Sequence, residues 1–355
     1  MGSHVAVSDL VFVTDELPGI RRKGKSRFHY VDMVTGERVR DPDELARIQS
    51  LAVPPAWTDV WICTDPNGHL QATGRDAKGR KVYRYHTSFR EDRERAKFEE
   101  LMPFGQALGA LRKQVESDLG LPGLPLDKVA ALVITLLERT FVRIGNEEYA
   151  RDNKTFGLTT LRDHHAEVNG AELTFHFRGK GAKRWDVGIE SRHLARLVKR
   201  CQDLPGQVLF QYLDDDGQPA PITSTDVNAY LRRHSGLDLT AKSFRTWGGT
   251  LFAACELVLV ERPTSQRMRA RAVNDVMRLT SEVLGNTPAV CKKSYVHPAV
   301  VNAFDEGTLP DLWAEGPRRD GYGLSADERR LLHVLESAAG SPGSEATTGA
   351  AGSAA

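Results

Sequence analysis

The spacing of hydrophobic positions changes once along this chain. Between about residues 10 and 89, short apolar runs alternate with polar positions in LVFVTD, RFHYVDM, VWICTD, HLQATG and VYRYH, each bounded by Gly, Pro or Asp turns. Alternation of this kind predicts a small β-rich domain over residues 5–89. The charged segment SFREDRERAKFEE follows, and beyond it apolar residues recur at helical spacing. A hinge is therefore expected near Ser88 to Arg93, with a mainly helical domain over residues 90–337, giving an α+β chain.

Within the helical part, Val129, Leu132, Val133, Leu136 and Leu137 mark a buried helix that carries the chain to Arg143. The segment EVNGAELTFHFRGKGAKRWDVGI breaks this period. An Asn169-Gly170 turn, alternation at Leu173, Phe175 and Phe177, and a Gly-flanked turn at Lys180 predict a three-stranded antiparallel meander with Lys180 on a mobile second tip. Helices are expected next in SRHLARLVKRCQDLPG and DVNAYLRRHSG, closed by Gly206 and Gly236. SFRTWGGTLFAACELVLV is too apolar for a surface helix and should cross the core with Arg245 near its start. Another helix should end at Gly285, after which Thr287 and Pro288 suit the N-cap and first turn of a short helix bearing Tyr295. Residues 338–355 lack aromatic and large apolar side chains and read as a disordered tail.

Composition narrows the class. With 355 residues, 40% of them hydrophobic and 27% charged, the chain can bury a substantial core. No apolar stretch approaches the roughly 18 residues of a membrane span, and MGSHVAVSDL lacks the features of a secretory signal, so a cytoplasmic location is expected. Met1 to His4 read as a cloning remnant. Cys63, Cys201, Cys255 and Cys291 are widely spaced, and the adjacent His164 and His165 have no second ligand pair; neither zinc nor a disulfide framework is expected.

The formal net charge is only +1, but the cations cluster. RRKGKSR, Arg21 to Arg27, is strongly basic, and GRDAKGRKVYRYH interleaves cations with Tyr83 and Tyr85. Cations neutralise phosphates and aromatic faces pack on sugars or bases, so Arg80, Lys81, Tyr83, Arg84 and Tyr85 are candidate DNA contacts; Tyr149 in RIGNEEY is a further candidate.

Five residues further along form a possible phosphoryl-transfer set: Arg143 in RIGNEEY, Lys180 in FRGKGAK, Arg245 in KSFRTWGG, and Asn286 and Tyr295 in LGNTPAVCKKSY. A tyrosine hydroxyl, with a pKa of about 10, is a weak nucleophile that its surroundings must activate. Two arginines can meet charge on the nonbridging oxygens of a phosphodiester with forked donors, and Asn286 adds a neutral amide N–H. A sugar oxygen leaves poorly without a proton, and a lysine can supply one.

The order Arg, Lys, Arg, Asn, Tyr resembles the active site of type IB DNA topoisomerases, in particular their compact poxvirus and bacterial branch. The resemblance covers most of the chain. It implies that Tyr295 becomes attached to a DNA 3′ phosphate, that Lys180 protonates the 5′ oxygen with Lys242 assisting, and that no metal, nucleotide or other cofactor is needed. It further implies duplex DNA as the partner, a DNA-clamp role for the N-terminal domain, and a bacterial, nucleoid-associated enzyme that relaxes positive and negative supercoils. Since one polypeptide holds every group, a monomer is expected.

The chain departs from that family in places. Most members have histidine where this chain has Asn286, and poxvirus enzymes have glutamine at the position of Val82. Asn146, Glu147 and Glu148 replace a more basic stretch, so poxviral sequence preference does not carry over. A tyrosine recombinase is the competing enzyme, but recombinases usually carry HxxR around the second arginine, where this chain has Lys242 three residues before Arg245. A noncatalytic DNA clamp would account for the basic segments and leave the tyrosine set unexplained.

Overall fold

The computed structural model describes residues 10–24 and 27–340, and the chain divides into two compact units between Phe98 and Glu99. The expected remnant Met1 to His4 lies outside the described residues, as does the expected tail from residue 341 onward.

In the first unit, β1 (Ile20–Lys23), β2 (His29–Asp32), β3 (Thr58–Ile62), β4 (Leu70–Arg75) and β5 (Lys81–Tyr85) form an antiparallel sheet in the order β2-β1-β3-β4-β5. Helix α1 (Pro42–Ser50) supplies Ile48 to a core shared with Ile20, Val60, Ile62 and Ala72. Helix α2 (Thr87–Glu99) runs through the segment expected to be a hinge, so Ser88 to Arg93 are helical and the division falls several residues later.

Three features of this unit differ from expectation. LVFVTD forms only a single bridge, Val11 to Gly68, instead of a strand. Helix α1 stands where only strands were expected, although Asp41 accepts from the Asp43 N–H as N-cap and Pro42 stands in the first turn, both ordinary start signals. Part of the basic segment is β1, where the Arg22 guanidinium donates to the carbonyls of Pro54 and Trp57 at 3.1 and 2.6 Å and lies over the Phe28 ring. Arg22 is a structural clasp.

The second unit is mainly helical: α3 (Leu101–Leu119), α4 (Leu126–Thr140), α5 (Glu147–Asn153), α6 (Arg192–Gln202), α7 (Ser224–Ser235), α8 (Ala241–Leu259), α9 (Gln266–Leu284), α10 (Pro288–Ser294), α11 (Pro298–Glu306), α12 (Leu309–Glu315) and α13 (Ala326–Gly340). The expected meander is present as β6 (Ala166–Asn169), β7 (Glu172–Arg178) and β8 (Arg184–Glu190), and β9 (Gln211–Leu213) pairs with β10 (Pro219–Pro221). The α+β class follows. Helix α4 is buried on nearly every side, and α8 crosses the same core through Phe244, Trp247, Ala253 and Leu257. No helix among the described residues is long and apolar enough to cross a membrane.

Several helix ends are corrected. Helix α4 stops at Phe141, whose left-handed φ of 53° caps it, so Arg143 lies beyond the helix. Helix α6 closes at Asp203 and not at Gly206, because the Asp203 N–H already finds the Lys199 carbonyl in right-handed geometry. Tyr295 is the residue that caps α10, one position past its end. Helix α13 reaches Gly340, so residues 338–340 of the expected tail are helical.

Candidate active site

Arg245 is 2% exposed and sits one turn into α8. One arm of its guanidinium donates to the carbonyl of Phe141 and the other to the carbonyl of Leu284, the latter at 2.6 Å. Each acceptor is a helix end. The left-handed turn at Phe141 leaves an α4 terminal carbonyl free, and Leu284 closes α9. Arg143 follows the same turn, and its Nη1 donates to the Gly285 carbonyl at 3.3 Å. Its own carbonyl accepts from the Leu158 N–H at 2.9 Å, and the Thr159 N–H binds the Ile144 carbonyl at 2.7 Å, which holds this irregular stretch in place.

Among the described residues, neither guanidinium forms an ion pair with a carboxylate; both donate to main-chain carbonyls. Burial, together with the charge of Arg143, pushes the Arg245 pKa down to about 10, so it remains a cation at neutral pH. Two cations held together without an anion leave positive potential for a ligand to neutralise.

Gly285 joins the two arginine contacts. Its φ of 62° ends α9 in the left-handed region, where glycine carries no Cβ penalty, and the N–H of Asn286 returns to the Ser281 carbonyl at 3.0 Å. Both polar atoms of the Asn286 side chain are buried and unpartnered. Leaving such an amide unsatisfied costs on the order of 1–3 kcal/mol, which a ligand accepting from it would offset.

Tyr295 lies half-buried beneath Arg245, whose guanidinium carbon is 5.1 Å from the ring centroid. Burial alone would raise the phenol pKa, but Arg245, Arg143 and Lys242 outweigh it and hold Tyr295 below its ordinary value. The tyrosine backbone is fixed by α8: a Cβ at Gly249 would lie 2.8 Å from the Tyr295 carbonyl oxygen. The adjacent Thr250 hydroxyl accepts from the His297 N–H at 3.1 Å and lies 3.3 Å from the Tyr295 carbonyl. Gly249 and Thr250 were not foreseen, since close approach between distant segments leaves no local periodicity.

Arg143, Arg245, Asn286 and Tyr295 thus come together, with Lys242 near enough to act on the phenol. Lys180 does not join them directly. It is exposed in the turn between β7 and β8, and its ammonium has no hydrogen-bond or ion-pair partner among the described residues.

In the first unit, strand alternation puts Lys81, Tyr83 and Tyr85 on one exposed face of β5 and Arg84 on the other. Tyr83 and Tyr85 are stacked, 5.9 Å between centroids. The expected cations already have partners: Arg80 pairs with Asp76, Lys81 with Asp15 at 2.7 Å, and Arg84 donates to the Ala52 carbonyl. Tyr149 is half exposed on α5, which Asn146 caps by accepting from the Tyr149 N–H. No cluster of three or more His, Cys, Asp or Glu residues that could hold a metal ion occurs among the described residues.

Comparison with known proteins places the chain in a family. Residues 86–308 match the family described as eukaryotic DNA topoisomerase I, catalytic core, and residues 27–76 match bacterial DNA topoisomerase IB, N-terminal domain. The chain is 33% identical over 324 residues to DNA topoisomerase 1B of Acanthamoeba polyphaga mimivirus, covering 89% of this chain and 94% of the relative. It is 21% identical over 272 residues to DNA topoisomerase I of monkeypox virus, covering 75% of this chain and 83% of the relative. DNA topoisomerase 1B of vaccinia virus (strain Copenhagen) gives the same identity and coverage.

Proposed function

Because this chain belongs to the type IB DNA topoisomerase family, we propose that Tyr295 cuts one strand of duplex DNA by reversible transesterification and that the same site reseals it. The tyrosine oxygen attacks phosphorus, the bond from phosphorus to the 5′ oxygen breaks, and a 3′-phosphotyrosyl link forms. The phenol proton passes to solvent water, and the 5′ oxygen takes a proton from Lys180 with Lys242 assisting. In the reverse step the 5′ hydroxyl attacks the phosphotyrosine. One ester replaces another throughout, so the reaction needs no nucleotide hydrolysis to conserve the backbone linkage.

Arg143, Arg245 and Asn286 meet charge on the nonbridging oxygens. The observation that carries this reading is the pair of guanidiniums without a carboxylate, beside the unpartnered Asn286 amide, with that of Arg245 over the Tyr295 ring. A proton donor for the leaving oxygen contributes roughly 100- to 10,000-fold. Lys180, exposed on a turn, is free to swing toward a bound strand.

Rotation of the cut strand between cleavage and resealing relaxes supercoils of either sign. The first unit contributes DNA contacts through Lys81, Tyr83 and Tyr85, and Tyr149 contributes from the second. The enzyme acts as a monomer, since one polypeptide carries every proposed group, and works in the bacterial cytoplasm with the nucleoid. Plasmid relaxation in excess EDTA without nucleotide tests the metal- and nucleotide-independent mechanism. Both positive and negative supercoils should relax; strict dependence on magnesium or ATP would contradict it.

A further inference from the structure

The Lys180 turn is tied at its base, where the Gly179 N–H donates to the Lys183 carbonyl at 2.8 Å. Two residues on, Trp185 stands across from Phe177 in the β7–β8 register, and the two rings stack in parallel at 6.1 Å with 1° between planes. The indole then meets two glycines. A Cβ at Gly179 would fall 2.6 Å from its Nε1, and a Cβ at Gly285 would fall 2.3 Å from its Cζ2. One flat ring therefore spans from the base of the lysine turn to the glycine whose carbonyl holds Arg143 and whose next residue is Asn286.

We propose that Trp185 is a positioning residue that seats the Lys180 turn against Gly285 and so sets where the ammonium reaches the 5′ leaving oxygen. This rests on the reading of Lys180 as proton donor. Lys180 itself has no partner to hold it, so the rigid contact nearest to it in the chain determines its reach. A displacement of about 1 Å in such a group can lower a rate on the order of 100-fold. Trp185 meets the Gly285 backbone and the Phe177 ring and no reacting atom, so the sulfur substrate separates its effect on the lysine from any effect passed through Gly285 to Arg143 and Asn286.

Single-turnover cleavage at saturating enzyme tests the proposal, comparing an ordinary 5′ oxygen with a 5′-bridging sulfur, which leaves without a strong acid. Trp185→Ala should lose on the order of 100-fold on oxygen and much less on sulfur, as Lys180→Ala should. Trp185→Phe, which keeps a ring on Phe177 but not the reach to Gly285, should fall between the parent and Trp185→Ala on oxygen. The double variant Trp185→Ala/Lys180→Ala should cleave oxygen no more slowly than Lys180→Ala. If Trp185→Ala fails to fold, Gly179→Ala displaces the turn from the indole and should give the same sulfur-rescued pattern. Sulfur rescue in Lys180→Ala but not in the folded positioning variant would overturn the role of Trp185 and leave the lysine reading intact. Absence of rescue in Lys180→Ala would overturn both.

Discussion

The guanidinium of Arg245 lies 5.1 Å over the ring of Tyr295 while hydrogen-bonding the ends of two other helices, so the cation cannot move away from the phenol without breaking both contacts. Its charge, with those of Arg143 and Lys242, outweighs burial and favours the phenolate. A depressed pKa means that ionisation begins below the usual tyrosine value of about 10 and that the folded state gains stability from it as pH rises toward that value.

Subtracting the phenolate absorbance titration of Tyr295→Phe from that of the parent should isolate this group. Its midpoint should fall below that of an ordinary tyrosine and move upward in Lys242→Ala. A midpoint at or above the ordinary value would contradict the electrostatic arrangement.

Asn286 couples activity and stability in opposite directions. Its buried, unpartnered amide burdens the free protein, and in the proposed reaction it donates to the phosphate. Asn286→Ala should therefore slow single-turnover cleavage by about 3 kcal/mol, the scale of a lost oxyanion donor, while thermal stability holds or rises. Asn286→His should retain cleavage. Parental rates in the alanine variant would confine Asn286 to ending α9.

Lys81 is held by Asp15 at 2.7 Å, so a DNA phosphate competes with this carboxylate for its charge. Asp15→Asn should tighten noncovalent DNA binding at low salt, whereas Lys81→Ala should weaken it and reduce the salt slope by about one unit. Affinities across a salt series provide the check. An unchanged slope in Lys81→Ala would exclude a phosphate contact there.

The buried Glu328 carboxylate joins α13 to the core by accepting from Arg112, from the Trp247 indole and from the Ser325 N–H. Burial would raise its pKa, but these donors lower it. Its contribution should be complete above about pH 4.3, the ordinary glutamate value, and decline as pH falls through the lowered folded value. Glu328→Ala leaves the Arg112 and Trp247 donors poorly matched and should cost about 3–5 kcal/mol in denaturant unfolding at neutral pH. A loss below about 1 kcal/mol would show that α13 does not depend on this carboxylate.

The meander and the buried helices were legible because their periodicity is local: Leu173, Phe175 and Phe177 alternate, and Val129 to Leu137 repeat at helical spacing. The five proposed site residues stood out through motif order. What the sequence concealed depends on contacts across long separations, such as Gly249 against the Tyr295 carbonyl and Trp185 between Gly179 and Gly285. The pairing of Lys81 with Asp15 was hidden for the same reason, since the basic segment reads as free charge until its acidic partner is brought beside it. Phe141 gave no signal for a left-handed turn, because phenylalanine rarely adopts one and packing imposes it.

Trapping the covalent intermediate tests the central claim most directly. A duplex labelled on the 3′-phosphate side of the nick, incubated with enzyme in excess EDTA and resolved under denaturing conditions, should yield a protein–DNA adduct with the parent. Tyr295→Phe, folded and still binding DNA, should yield none. A persistent adduct with Tyr295→Phe, or label attached through the 5′ side, would contradict the assignment of Tyr295 as the nucleophile that forms a 3′-phosphotyrosyl link.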